Sequence, residues 1–141
     1  GTLSGELKAG LVRVRPRKEE TLIYVADALL FYSSGETTVR PEGERFLLKL
    51  AEILKVVPNQ VRIEGHTDAS PIRSDKYASN WELSSARALK VLHSLEGMGV
   101  QPAQLRAVAF ASYRPLAPED VQLGITENRR VEIAILHRNS P

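Results

Sequence analysis

Apolar residues recur with two different periods along this chain, and the order of those periods limits the fold it can adopt. Leu47, Leu50, Ala51 and Leu54 sit at i, i+3, i+4 and i+7, the stripe of an amphipathic helix. Val131, Ile133 and Ile135 instead alternate with Glu132 and Ala134, which predicts a last strand over 131–136. The same alternation, apolar against basic, runs over 11–15, and 22–25 reads as its hairpin partner across a charged turn. Residues 27–31 are apolar but short, and Ser33-Ser34-Gly35 marks a loop. Pro41 suits a first helical turn, and the helix it opens is expected to stop near Val57, before Pro58. A brief strand over 61–64 leads into a polar loop over 69–79. A long helix follows, with Ala88, Val91, Leu92 and Leu95 as its buried stripe. Ser84 is the candidate N-cap, with Asn80 as an earlier possible start, and Gly97 and Gly99 end it. Residues 105–110 read as a strand and 113–123 as a loop.

Two hairpin strands followed by helix–strand–helix–strand–strand predict an α+β fold: a two-layer sandwich with one mixed sheet and helices on one face. If the strands at 61–64 and 105–110 are parallel, their helical crossover is expected to be right-handed.

Composition narrows the function classes. At 141 residues, with 43% hydrophobic and 26% charged residues, the chain suits one globular domain rather than a disordered segment. A net charge of +2 does not argue for a nucleic-acid binder. There is no cysteine, so neither a disulfide framework nor a thiolate metal site is available. No apolar run approaches the roughly 20 residues of a membrane helix. The opening Gly-Thr-Leu-Ser-Gly lacks an initiator Met, so the chain is expected to be part of a longer protein, with any membrane or targeting segment outside it.

Two short strings carry the chemistry. GHTD runs from Gly65 to Asp68, and SNWELSSARA from Ser79 to Ala88. Asp68 falls just past a predicted strand and Arg87 in the first turn of the next helix, where unpaired amide protons already favour anions. A guanidinium there adds a bidentate fork for a carboxylate. One pocket then takes both ends of an amino-acid zwitterion, the ammonium on Asp68 and the carboxylate on Arg87. The alternative is that the two residues simply pair with each other. Both read as surface positions, so their removal is expected to leave the fold intact.

GHTD, Leu83-Ser84 followed by Arg87-Ala88, and NRRVEI at 128–133 occur here in that order. On these residues the chain resembles the OmpA-like family of peptidoglycan-binding domains over roughly 31–136. Ala69-Ser70-Pro71-Ile72, SNWELS at 79–84, and Leu29-Leu30-Phe31 ahead of Ser34-Gly35 are most similar to the periplasmic C-terminal domain of MotB-type flagellar stator proteins. The resemblance implies an OmpA-like core over 27–138 preceded by a strand or hairpin extension over 1–26. It implies non-catalytic binding of the diaminopimelate of the peptidoglycan stem peptide, with Asp68 and Arg87 as the central pair. Asn80 and Arg130 are expected to line the pocket, and Thr67 to offer its backbone. It further implies a periplasmic domain of an inner-membrane-anchored protein, a MotA-type ion-channel subunit as partner, and a homodimer, with no cofactor, no metal and no nucleic acid. The other parent of the same domain is an outer-membrane protein or a lipoprotein. The chain departs from the family at Ala109 or Ala111, where glycine is usual, and at Ile125, where arginine is common.

Other residues have simpler readings. His66 near Glu64 and Asp68 suggests a metal or a general base, but a lone histidine after a strand is usually a structural hydrogen-bonder. Trp81 and Tyr77 suit either a sugar ring or a packing role, and packing is the default. Arg13, Arg15, Arg17 and Lys18 form a basic cluster that reads as a solvated face or an approach to an anionic surface. A wall-processing enzyme built on Asp68 with His66 or Glu64 lacks a nucleophile–base–orienter set. The segment through Glu20, ahead of the family core, is a candidate for rearrangement on activation.

Overall fold

The computed structural model describes residue 5 and residues 9–32, 36–72, 75–116 and 126–138. The loop expected at 33–35 and most of that at 113–123, with Ile125, fall outside the described residues. Five strands form one mixed sheet: β1 (Val12–Pro16), β2 (Glu20–Ala26), β3 (Val61–His66), β4 (Leu105–Ala109) and β5 (Arg130–Leu136). Their spatial order is β1-β2-β5-β3-β4. β1 and β2 form the expected antiparallel hairpin, with Val12 opposite Val25. β5 lies antiparallel between β2 and β3, and β3 runs parallel to β4. The helices are a short α1 (Asp27–Leu30), α2 (Pro41–Leu54) and α3 (Asn80–Gly97). No described helix is long and apolar enough to cross a membrane.

Strand parity explains the two layers. Val12, Ile23, Val25, Val61, Ile63, Val131 and Ile133 point to one face, where they join Phe46, Leu47, Leu50, Leu54, Val91 and Leu95 from the helices in a single core. The alternate residues Arg62, Glu64, His66, Arg130 and Glu132 line the opposite face. They are also largely buried, because the segment after β4 folds over them.

Local chemistry sets the helix ends. Pro41 occupies the first turn of α2, as its missing N–H allows. The far end of α2 is held by Gln104, whose Nε2 donates to the carbonyls of Leu54, Val57 and Asn59 at 3.3, 2.8 and 3.0 Å. Gln104→Leu leaves those acceptors without this donor, and a loss of about 2 kcal/mol is expected in urea unfolding. α3 begins at Asn80, not at Ser84. Its N-cap is Ser79, whose hydroxyl oxygen accepts from Trp81 N at 3.1 Å and donates to the Glu82 carboxylate. Ser84 lies inside the helix, fully buried, and accepts from Ala111 N at 3.1 Å.

Two positions bring β3, β4 and α3 together. A Cβ on Gly65 would stand 2.0 Å from the Ser84 carbonyl oxygen, so α3 rests directly on the β3 backbone. Ala111 has φ 51°, a left-handed conformation. That conformation costs an alanine about 1 kcal/mol, and burying its methyl returns about 0.8 kcal/mol.

Candidate functional site

Four charged side chains meet beyond the end of β3. Thr67 N donates to Ala111 O at 2.8 Å, which fixes the chain as it leaves the strand, and Asp68 follows. Both Asp68 oxygens accept hydrogen bonds: Oδ1 from Ser70 N at 3.0 Å, and Oδ2 from Arg129 Nε at 2.6 Å. Arg87 reaches in from α3, with Nη1 2.6 Å from Asp27 Oδ1 and Nε donating to Glu36 O at 3.3 Å. Its guanidinium carbon stands 4.9 Å from the centre of the Phe31 ring. Asp27 opens α1, and its N–H donates to Arg129 O at 3.0 Å, so the two ion pairs share a backbone link.

Asp68 and Arg87 therefore do not pair with each other; each has a partner from outside the two motifs. Nor are they surface positions. Asp27, Asp68 and Arg87 are 8%, 5% and 2% exposed, and only Arg129 remains partly open to solvent. Burial pushes the Asp27 carboxyl above its ordinary value, against the pull of Arg87 and Arg129, while the nearby Asp68 charge adds to the rise. Burial also lowers Arg87, with Asp27 opposing it, and the guanidinium stays a cation at neutral pH. The Arg87–Asp27 contact is an ion pair without hydrogen-bond alignment, so Asp27 Oδ1 has no hydrogen-bond partner among the described residues. A cavity of about 250 Å³ adjoins it, lined by Asp27, Phe31, Tyr32, Arg40 and Arg129.

The remaining expected residues have definite places. Asn80 Nδ2 donates to Ser70 O at 3.1 Å and reaches Asp68 O at 3.5 Å, pinning the loop that carries Asp68. The Thr67 N–H, expected to face a ligand, is engaged by Ala111. Its hydroxyl donates to Asp68 O at 2.8 Å. Arg130 points to the other face of the sheet, where Nε donates to Glu132 at 2.5 Å and Nη1 and Nη2 donate to the carbonyls of Asn128 and Arg114. The arginine beside Asp68 is Arg129. Parity carried that signal: Val131 and Ile133 face the helices, so residue 129 does too and residue 130 does not. The same rule, run forward from Ile23 and Val25, points to Asp27.

On the far face, His66 stands between two carboxylates, 3.1 Å from Glu64 and 3.8 Å from Glu132, and its ring stacks on Phe110. The ligand atoms of these three residues lie within 4.8 Å of one another. Each carboxylate is already held by an arginine, Arg62 on Glu64 at 2.6 Å and Arg130 on Glu132, and Arg62 also reaches Glu20. Both carboxylates of the trio are thus engaged in an ion-pair network with Arg62 and Arg130. Burial raises Glu64, but the hydrogen bonds from His66 and Arg62 outweigh it and hold its carboxyl below the ordinary 4.5. A lowered carboxyl stabilises the fold above its unfolded value, and that stabilisation disappears as pH falls through the folded value. Glu64→Gln is therefore expected to lower the urea midpoint at pH 7, and the gap to wild type should close below about pH 4.5.

A model of the OmpA family matches residues 31–129. Motility protein B of Bacillus subtilis (strain 168) is 33% identical over 124 residues, covering 86% of this chain and 47% of the relative. A solved structure described as the cell wall anchor of the T6SS from Pseudomonas aeruginosa superposes with a TM-score of 0.89 at 32% identity, over 97% of this chain and 95% of that one. The periplasmic domain of Helicobacter pylori MotB (residues 90-256) gives a TM-score of 0.83 at 25% identity, over 90% and 80%. The chain spans about half the length of the first curated relatives it matches.

Proposed function

The chain belongs to the OmpA family, and from that premise we propose that it is a non-catalytic anchor. Its buried charge cluster holds the zwitterionic end of a diaminopimelate residue in the peptidoglycan stem peptide. The observation that carries this reading is the side-by-side placement of two ion pairs, Asp68–Arg129 and Asp27–Arg87, beyond the end of β3. Two carboxylates and two guanidiniums sum to zero, as does an ammonium–carboxylate ligand. Binding is then an exchange of partners within a neutral cluster: the ligand's ammonium shares Asp68 and its carboxylate shares Arg87. Asp68 and Arg87 are already desolvated and each is held by a backbone group, so little ordering of these two remains to oppose association. Thr67 and Asn80 act by holding the Asp68 loop, and Arg130, on the other face, holds the Asn128 carbonyl one residue ahead of Arg129.

Titration calorimetry with two stem peptides tests this reading. A peptide with meso-diaminopimelate is expected to bind. The same peptide with lysine, which has the ammonium but not the carboxylate, should bind at least about 10-fold more weakly, because a buried guanidinium goes unmatched. Equal affinity for the two would remove Arg87 from the ligand's carboxylate.

In the whole protein, this reading makes the domain the periplasmic wall anchor of a MotB-type flagellar stator, dimeric and joined through a membrane helix to a MotA-type channel subunit. The relatives named Motility protein B support it. The neighbour described as a cell wall anchor of the T6SS supports a second parent for the same anchor, in a T6SS. Co-purification of the full-length protein with a MotA-type subunit decides for the stator, and its absence for the second parent.

A further inference from the structure

The fold rearranges the basic cluster of Arg13, Arg15, Arg17 and Lys18. Arg13 leaves it: its two Nη atoms donate to the Glu127 carboxylate at 2.8 and 2.5 Å, and its guanidinium lies over the Tyr24 ring. Arg138 joins it. His137 N donates to Glu19 O at 3.0 Å, and His137 Nδ1 stands 3.1 Å from Lys18 O, so the end of β5 is tied to the turn between β1 and β2. At this tip Arg15, Arg17, Lys18 and Arg138 are exposed, and none of them forms an ion pair among the described residues. Glu19 in the same turn offsets one of these charges, while Glu20 is taken by Arg62. Four cations less one carboxylate leave the tip at +3, against +2 for the whole chain, so the remainder carries −1. The basic excess of the chain is concentrated here.

Edge protection does not account for it. β1 is an outer strand, and Arg15 and Pro16 suffice to deter a further strand from pairing with it. Arg17, Lys18 and Arg138 lie beyond the strand ends. The tip also stands at the opposite end of the sheet from the charged site. β2 leads from Glu20 at the tip to Ala26 beside Asp27, a length of about 20 Å.

Shape selects the partner. The turn is convex, and the cavity of about 20 Å³ between Arg15, Arg17 and Leu116 has room for one water molecule, not for a phosphate or a sugar. A polymer strand is held in a groove, whereas a flat charged surface needs only cations that reach it. Val14 and Leu116, 45% and 46% exposed, flank the arginines. Cations beside apolar side chains suit the boundary between lipid headgroups and acyl chains.

We propose that this tip docks on the surface of an anionic lipid bilayer, with Arg15, Arg17, Lys18 and Arg138 among the lipid phosphates. The contact uses none of the residues of the wall site, so either function can fail without the other.

Co-sedimentation with vesicles tests it. Vesicles of equal parts phosphatidylglycerol and phosphatidylcholine are expected to carry wild type down at low salt, and vesicles of phosphatidylcholine alone are not. Each cation near such a surface strengthens partition about 5-fold, so Arg15→Gln/Arg17→Gln/Lys18→Gln/Arg138→Gln should lose more than about 100-fold. Added salt should weaken wild-type binding in the same direction. Lys90→Gln, which removes an exposed cation on α3, should bind as wild type does. Circular dichroism and urea unfolding check each fold; Arg17→Gln/Lys18→Gln, confined to the turn, serves if the quadruple variant does not fold, with a loss of about 25-fold. Equal partition of wild type to the two vesicles, or undiminished binding of the folded tip variant, overturns the proposal. Binding of soluble polyphosphate that the tip variant loses, with no binding to vesicles, assigns the tip to a phosphate polymer and overturns it. Loss of retention on purified peptidoglycan by the tip variant, again with no binding of wild type to vesicles, assigns the tip to the wall and overturns it as well.

Discussion

Gly65→Ala is expected to destabilise the domain by at least about 3 kcal/mol, the upper end of the range for overpacked sites. The added methyl would stand 2.0 Å from the Ser84 carbonyl oxygen and 2.8 Å from its carbonyl carbon. Both are backbone atoms, so no rotamer change relieves the clash, and α3 must move off β3. In thermal unfolding this corresponds to a fall of about 10 °C for a domain of this size. The backbone origin gives the prediction a control: Ser84→Ala in the Gly65→Ala background should recover nothing, because the offending atoms remain. A fall of only a degree or two would mean that α3 slides over β3 at low cost. The same contact matters for the site, since the close approach of α3 is what carries Arg87 toward the chain end that bears Asp68.

Arg87→Ala is the second large effect, and its size follows from Asp27. Removing one member of a buried ion pair costs about 3–5 kcal/mol, because the remaining charge is uncompensated. Asp27 can escape by taking up a proton. From its ordinary value of 3.8, that route limits the cost at pH 7 to about 4 kcal/mol. The sign with pH is then fixed. Loss of the Arg87 charge, which holds Asp27 down in the wild type, raises that carboxyl further, so the folded variant binds the proton more tightly than wild type and gains stability relative to it as pH falls from 7 toward 5. Urea midpoints of wild type and Arg87→Ala across that range check it. A pH-independent gap would mean that Asp27 is solvated rather than trapped. The double variant Asp27→Asn/Arg87→Gln leaves no unpaired charge and is expected to stay within about 2 kcal/mol of wild type, since such pairs replaced together are often near neutral.

Much of the architecture could be read from period alone. Residues 11–15, 22–25, 61–64, 105–110 and 131–136 alternate or run apolar, and all five became strands of one mixed sheet. Of the two starts open for α3, Ser84 and Asn80, the structure takes Asn80, because Ser79 and Glu82, three residues apart, cap the helix there. Asp68 and Arg87 were legible as a pair of opposite charges, but their burial was not. A polar loop after a strand usually reads as surface, and here α1 and the start of β5 close over it. Asp27 lies in no motif, and its role depends on a partner sixty residues away in the chain. Arg129 stands beside Asp68 and Arg130 on the other face of the sheet, a difference that the alternation of β5 carries. The contact at Gly65 has no signal in a single sequence, since it depends on how closely one particular helix packs.

The central claim is that the buried cluster around Asp68 and Arg87 binds the wall, and retention on purified insoluble peptidoglycan tests it most directly. The comparison is wild type against Asp27→Asn/Arg87→Gln, with circular dichroism and urea unfolding confirming that the variant is folded. The account predicts that wild type sediments with the wall and that the folded variant stays in the supernatant. Retention of the folded variant at the wild-type level would contradict it and place the wall contact elsewhere on the domain.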